Sequence, residues 1–170
     1  MSGQQPCRKT RKFFIAGTDS KGSGGGQSRP SHLRLVMDDG SSEQPQPIRL
    51  LLVEDSPFDA ELFREQLDAL DGFTFDVCHC ETLADALASL ASKHFDVVIL
   101  DLTLPDSSDY NSFKRVHENA NSTPIIILTG LDERSVSVRA LEEGAANYLI
   151  KNKSSSERIA ASIMTALANR

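Results

Sequence analysis

The sequence has no tryptophan, only three cysteines and no long hydrophobic run. A membrane-spanning helix needs about 20 predominantly apolar residues, so the sequence excludes a helical membrane anchor. The apolar stretch at residues 13–17 follows two basic residues, but it is too short for the core of a secretory signal. We therefore expect a cytoplasmic protein with no membrane association.

The cysteines do not suggest a metal site. Cys78 and Cys80 flank His79 in an alternating stretch, which places the two thiols on one face of a strand and the imidazole on the other. Three ligands divided between two faces cannot surround one ion. We expect both thiols to be small apolar strand residues in a reducing compartment.

Positive charge is scarce beyond the first 36 residues. Residues 1–36 carry seven Lys or Arg against Asp19 alone, whereas the remainder carries 11 basic and 23 acidic residues, a formal charge of −12. An acidic folded body disfavours nonspecific binding to a phosphate backbone. We therefore expect no direct DNA binding.

Residues 1–47 lack helical and strand periodicity and are rich in Gly, Ser, Gln and Pro. Such a segment buries too little apolar surface to offset its ordering entropy. We predict a disordered, basic tail ahead of a domain that covers residues 48–170. Met37 stands where the charge changes sign, so a natural start at Met37 is an alternative to a start at Met1.

From residue 48 onward, short apolar runs alternate with amphipathic stretches of helical period. The runs predict five strands, at 48–53, 73–79, 96–100, 124–128 and 146–150. Five helices follow them, with capping signals at Ser56, Thr82 and Ser154. Strict alternation is typical of repeated βαβ units. We predict an α/β fold with a doubly wound, five-stranded parallel sheet of the flavodoxin-like type, in strand order 2-1-3-4-5.

Polar side chains follow four of the five predicted strands. They are Glu54 and Asp55 after the first strand, Asp101 after the third, Thr129 after the fourth and Lys151 after the fifth. In the order 2-1-3-4-5 the first and third strands are neighbours, so these groups converge on the crevice outside the carboxyl ends. Neighbouring carboxylates repel one another unless a cation lies among them or a pKa rises. An all-oxygen set with few carboxylates favours Mg²⁺ over Ca²⁺ or Zn²⁺.

Each of these residues alone has an ordinary structural explanation. Strand-end carboxylates often cap helices, a strand-end Thr is often only a β-branched residue, and a single Lys is usually surface charge. Five such residues at matching strand ends favour a functional site over coincidence.

Four segments resemble the receiver domain of bacterial two-component response regulators. They are Leu-Leu-Val-Glu-Asp-Ser (51–56), Val-Val-Ile-Leu-Asp-Leu-Thr-Leu-Pro (97–105), Ile-Ile-Leu-Thr-Gly (126–130) and Gly-Ala-Ala-Asn-Tyr-Leu-Ile-Lys (144–151). The resemblance covers residues 48 to about 168. It implies a Mg²⁺-dependent phosphorelay in which a sensor histidine kinase or a phosphotransfer protein donates a phosphoryl group to an aspartate. It implies no enzymatic activity beyond this self-phosphotransfer and autodephosphorylation.

The resemblance assigns the phosphorylation and metal sites. Asp101 would be the phosphoacceptor. Mg²⁺ would lie between Asp101, the acidic pair Glu54 and Asp55, and the main-chain carbonyl of Thr103. These assignments agree with the metal that the oxygen ligands favour.

The resemblance also assigns the residues that respond to the phosphoryl group. Thr129 and Lys151 would contact its oxygens, and the Tyr148 ring would fill the space that Thr129 vacates. The output face would consist of the fourth and fifth helices and the fifth strand. The downstream protein target and homodimerisation through this face stay open.

Two segments depart from the family pattern. Residues 106–110, Asp-Ser-Ser-Asp-Tyr, replace the common Asp-Gly, and Asn152 stands where most receivers have a proline. We expect a loop of different shape and acidity in the first segment. In the second, we expect no cis peptide and a more adjustable approach to the last helix.

The chain ends directly after the fifth predicted helix, so we expect a stand-alone receiver that signals by protein contact or onward phosphotransfer. A Mg²⁺-dependent phosphatase of the haloacid dehalogenase type is one alternative, but it needs a second aspartate where Thr103 stands. A phosphorylation-independent docking module is another alternative, against which the complete set of site residues argues.

Overall fold

The computed structural model describes residues 8–9, 46–107, 109–130 and 134–169. The strands are β1 (Arg8–Lys9), β2 (Ile48–Val53), β3 (Phe75–Cys80), β4 (Val97–Asp101), β5 (Ile125–Thr129) and β6 (Asn147–Ile150). The helices are α1 (Pro57–Asp68), α2 (Leu83–Ser92), α3 (Asp109–Asn119), α4 (Arg134–Glu142) and α5 (Ser156–Ala168). Within these ranges, no helix combines the length and the apolar character that a membrane crossing requires.

The sheet runs in the order β1-β3-β2-β4-β5-β6. All pairs from β3 to β6 are parallel, whereas β1 is antiparallel to β3. Apart from the two-residue β1, the order is the predicted 2-1-3-4-5, so the flavodoxin-like α/β fold is confirmed. β2 and β4 are neighbours, with Val53 opposite Leu100. The residues that follow these two positions therefore leave the sheet side by side.

β1 lies inside the segment that we predict to be a disordered tail. Arg8 and Lys9 pair with His79 and Cys78 at the edge of the sheet. Residues 1–7 and 10–45 lie outside the described residues, so the disordered tail and the alternative start within it stay predictions. Cys78 is disulfide-bonded, so the expectation of a reduced thiol there is wrong, whereas Cys80 is a free, buried thiol.

Each face of the sheet has its own hydrophobic core. Leu51, Val53 and Leu100 pack on the side of α2, α3 and α4. Leu50 and Leu52 pack on the side of α1 and α5. Successive side chains of a strand point to opposite faces, so an apolar strand such as β2 supplies both cores. Polar side chains that are buried at the ends of these strands are exceptions that need an explanation.

The helix starts follow the predicted capping signals at two of three positions. Ser56 accepts a hydrogen bond from the amide of the third helical residue at the start of α1, and Thr82 does the same for α2. The cap of α5 is Ser155 rather than the predicted Ser154. The Ser154 hydroxyl is engaged elsewhere, because it donates to the carbonyl of Ile150 at 3.1 Å.

Candidate functional site

Three carboxylates meet at the carboxyl edge of the sheet. Oxygen atoms of Glu54, Asp55 and Asp101 all lie within 4.8 Å of one another. Glu54 and Asp101 are fully buried, and Asp55 is exposed. The pairing of β2 with β4 brings them together, because Glu54 follows β2 and Asp101 ends β4. The structure therefore places the predicted metal-binding carboxylates in one cluster.

Lys151 joins this cluster from the end of β6. Its Nζ donates to Oδ2 of Asp101 at 2.9 Å and to Oε1 of Glu54 at 3.0 Å. It also lies 3.7 Å from Oδ2 of Asp59 in the first turn of α1. Asp59 is not among the predicted site residues. Its place as an acidic residue in the first turn of the helix that directly follows Glu54 and Asp55 is the signal that could have identified it.

Burial and nearby charge shift the pKa values of Glu54 and Lys151. Burial is the largest cause that raises the pKa of Glu54 to about 7, Lys151 opposes the rise, and the charge of Asp101 adds to it. Burial acts to lower the pKa of Lys151, but hydrogen bonds and charge attraction from Glu54 and Asp101 outweigh it and raise the pKa. The ammonium group thus stays charged, and one lysine cannot neutralise the three carboxylates when all of them are ionised.

A divalent cation fits the oxygens of the cluster. Oε2 of Glu54 is buried and lacks hydrogen-bond geometry, although it lies only 2.8 Å from Nζ of Lys151. A buried carboxylate oxygen without a hydrogen bond is costly, and a metal ion would add a second partner to its ion pair with Lys151. Carboxylate oxygens with one exposed side for water suit a hard ion such as Mg²⁺. The cluster could therefore hold the predicted ion.

Thr103 fixes the orientation of the Asp101 carboxylate. Its hydroxyl lies 3.1 Å from Oδ1 and 3.0 Å from Oδ2, and its amide donates to Oδ1 at 3.2 Å. The resemblance to receiver domains points only to the main-chain carbonyl of Thr103, as a metal ligand. The hydroxyl contact is a further role, which depends on a side-chain rotamer that residue order does not specify.

Thr129 and Tyr148 lie on neighbouring strands. Thr129 is fully buried at the end of β5, and its hydroxyl donates to the carbonyl of Gly130 at 3.1 Å. Tyr148 is half-buried and packs against the core on the α2 side of the sheet. The amide of Lys151 donates to the carbonyl of Thr129 at 2.8 Å. The structure therefore brings Thr129 beside the lysine and packs Tyr148 against the hydrophobic core, and their switch role stays a prediction.

Asn152 shapes the turn that delivers Lys151. The described residues contain no cis peptide bond, as expected from the missing proline. Asn152 instead adopts a φ of 58°, a left-handed conformation that Asn tolerates better than most residues. The Ser154 hydroxyl then accepts from the amide of Ile150 at 3.2 Å and closes the turn.

Known proteins resemble residues 50–163 in sequence and in fold. Residues 50–163 match the family described as response regulator receiver domain. The chain is 36% identical over 104 residues to the swarming motility regulation protein RssB of Serratia marcescens, which covers 61% of this chain and 46% of that protein. It is 34% identical over 127 residues to the transcriptional regulatory protein TrcR of Mycobacterium tuberculosis, which covers 75% of this chain and 46% of that protein.

A solved structure has the same fold. A response regulator receiver domain protein from Clostridium thermocellum superposes with a TM-score of 0.63 at 22% identity, and the match covers 72% of this chain and 95% of that one. This likeness shows the fold alone. The chain spans slightly less than half the length of the two regulators that it matches in sequence.

Proposed function

Because the chain belongs to the response regulator receiver domain family, we propose that it accepts a phosphoryl group from a phosphohistidine on Asp101. One observation carries the proposal. The Asp101 carboxylate is fully buried, yet it contacts Lys151 and Thr103 and lies in a cluster with two further carboxylates. We propose a sensor histidine kinase or a phosphotransfer protein as the donor.

The reaction needs a nucleophile with charge compensation around it. A carboxylate oxygen of Asp101 would attack the phosphorus, and the bond between phosphorus and the donor imidazole nitrogen would break. Lys151, now paired with Asp101 and Glu54, would turn toward the incoming oxygens and offset their charge. Mg²⁺, held by Glu54, Asp55, Asp101 and the Thr103 carbonyl, would screen the repulsion between the two anions when bound.

We propose that the signal leaves through a face built from α4, β6 and α5. Thr129 would move toward the phosphoryl oxygens, and Tyr148 would change its packing in response. Val138 of α4 and Met164 of α5 are large apolar side chains that are 52% and 43% exposed. Exposed apolar side chains on both helices would suit a protein target or a second copy of this chain. Output by protein contact or by onward phosphotransfer fits such a face.

Phosphorylation by acetyl phosphate in Mg²⁺, followed by intact mass spectrometry, tests the proposal. We expect one phosphate on the wild type and on Asp68→Asn, a control that removes an exposed carboxylate outside the site. Asp101→Asn should gain none, because the nucleophilic oxygen is lost. A folded, Mg²⁺-binding wild type that gains no phosphate would favour the docking module instead.

A further inference from the structure

The loop between β4 and α3 is anchored by one carboxylate. Oδ1 of Asp106 accepts from the amide of Leu83 at 2.9 Å, and Oδ2 accepts from the amide of Ala84 at 2.9 Å. These are the first two amides of α2. The first amides of a helix have no partner within the helix itself. A residue from a later loop therefore completes the start of α2.

The contact joins the loop to a part of the fold that is held firmly. Thr82 accepts from the amide of Asp85 at 3.1 Å, so the local cap and Asp106 together satisfy the first three amides of α2. Leu83 and Ala86 are fully buried against the sheet. A carboxylate at a helix N-terminus also interacts favourably with the helix dipole. Asp106 therefore ties a surface loop to an anchored helix.

The same loop orients the Asp101 carboxylate. Thr103 contacts that carboxylate through its amide and its hydroxyl. Leu104 is buried, and its carbonyl accepts from the amide of Ser107 at 3.3 Å. The segment is thus held at three successive places: by Asp101 itself, by the core, and by α2 through Asp106. Only the last contact lies outside the site and its immediate packing.

We infer that Asp106 is a positioning residue for phosphoryl transfer. Its carboxylate fixes the loop that holds Thr103 against Asp101, and so limits the orientations of the nucleophilic carboxylate. Asp106 lies in the segment where the sequence departs from the family pattern, and this contact gives the altered loop a defined anchor. The inference rests on the proposed function, because it concerns the rate at which Asp101 is phosphorylated.

Asp106→Ala and the matched control Asp85→Ala test the inference. Both variants remove a carboxylate that bonds within the first turn of α2, but Asp106 reaches this turn from the loop, whereas Asp85 bonds to the neighbouring Thr82. We expect Asp106→Ala to lower the rate of phosphorylation by acetyl phosphate at saturating Mg²⁺ about tenfold, because a small misplacement of the nucleophile costs rate of this order. Asp85→Ala should leave the phosphorylation rate close to that of the wild type, because Asp85 bonds to Thr82 within the helix cap and not to the loop. Asp106→Asn keeps one acceptor oxygen, so its phosphorylation rate should lie between the rates of Asp106→Ala and Asp85→Ala.

The outcomes separate the inference from the proposed function. Equal rates for Asp106→Ala and Asp85→Ala in folded protein would overturn the inference and leave Asp106 as a helix cap. If Asp106→Ala does not fold, Asp106→Asn decides, and a wild-type rate in that variant would overturn the inference. A wild type that is never labelled would overturn the proposed function and this inference with it.

Discussion

Glu54 is the residue in which burial and charge conflict most. Its side chain is fully buried, it shares Lys151 with Asp101, and its pKa is raised to about 7, with burial as the largest cause. A carboxyl group whose pKa is higher in the folded protein than in the unfolded chain binds a proton more readily when the chain is folded. In the absence of a metal ion, folding therefore favours the neutral form of Glu54.

We expect the metal-free protein to lose stability as the pH rises through the window from 4.5, the ordinary pKa, to about 7. Within this window the folded state binds more protons than the unfolded state, so the free energy of unfolding falls, on the order of 3 kcal/mol in total. Urea denaturation at several pH values, with EDTA present to keep the protein free of metal, measures this free energy. Glu54→Gln stays neutral and should lack this loss. A difference between the two proteins that does not change with pH would contradict the expectation.

The positions of the site residues were predictable to different degrees. Glu54, Asp101 and Lys151 come together because strand order alone decides which strand ends are neighbours. Asp59 reaches Lys151 through the phase of a helix turn, and the Thr103 hydroxyl reaches Asp101 through a rotamer. The place of Asp59 in the first turn of the predicted helix could have been noticed in the sequence, whereas the rotamer of Thr103 could not.

The turn between β6 and α5 shows how an element can reach its geometry without the family's usual residue. Asn152 takes the left-handed conformation, and Ser154 hydrogen-bonds to both main-chain groups of Ile150. The amide of Lys151 is held by the carbonyl of Thr129. The backbone of this turn, rather than a proline, thus sets the direction in which the lysine leaves the sheet.

Two substitutions at Asn152 test this account of the turn. Asn152→Gly should leave the free energy of unfolding within about 0.5 kcal/mol, because glycine adopts positive φ readily. Asn152→Val should lower it by about 1–2 kcal/mol, because a β-branched residue is strained at positive φ. Urea denaturation compares the variants with the wild type. A valine variant as stable as the glycine variant would contradict the left-handed turn.

Element boundaries were less predictable than the elements themselves. β2 spans the predicted residues Ile48–Val53, whereas β3 begins at Phe75 rather than at the predicted residue 73. The start of α5 differs because two adjacent serines compete for it, and the hydroxyl of Ser154 bonds to Ile150 instead. Such choices depend on the path of the backbone in the turn, which composition does not determine.

At the scale of the whole molecule, the site draws on both helical layers. Asp59 of α1 approaches Lys151 from one side of the sheet, and α2 on the other side holds the Asp106 loop. An ion that relieves the repulsion among the carboxylates would therefore stabilise a site that helices on both faces of the sheet support. Binding of such an ion to the folded state alone stabilises the whole domain by mass action.

We expect Mg²⁺ to raise the midpoint of thermal unfolding. At about one hundred times the Kd, the gain is about 2.7 kcal/mol, which corresponds to several degrees. Asp55→Asn removes the exposed carboxylate of the cluster and should lose most of the gain, whereas Asp68→Asn should retain it. Calorimetry with Mg²⁺ and with EDTA measures the difference. Equal midpoints for the wild type under both conditions would contradict the metal site.

The overall architecture was predictable because right-handed crossovers leave few topologies for alternating strands and helices. The pairing of β1 with β3 and the disulfide at Cys78 were not predictable in this way. The pairing joins residues about 70 positions apart in the chain, and neither a two-residue strand nor a single thiol has a periodic pattern of its own.

The ion pairs of Lys151 span most of the domain, since the lysine lies 97 residues from Glu54 and 50 residues from Asp101 in the chain. During synthesis, the three carboxylates emerge from the ribosome well before the lysine that partly neutralises them. The acidic cluster thus lacks its cation until β6 has been made and has joined the sheet. A truncated or partly synthesised chain would lack the lysine that partly neutralises Asp101, so under the proposed function only completed domains would accept a phosphoryl group.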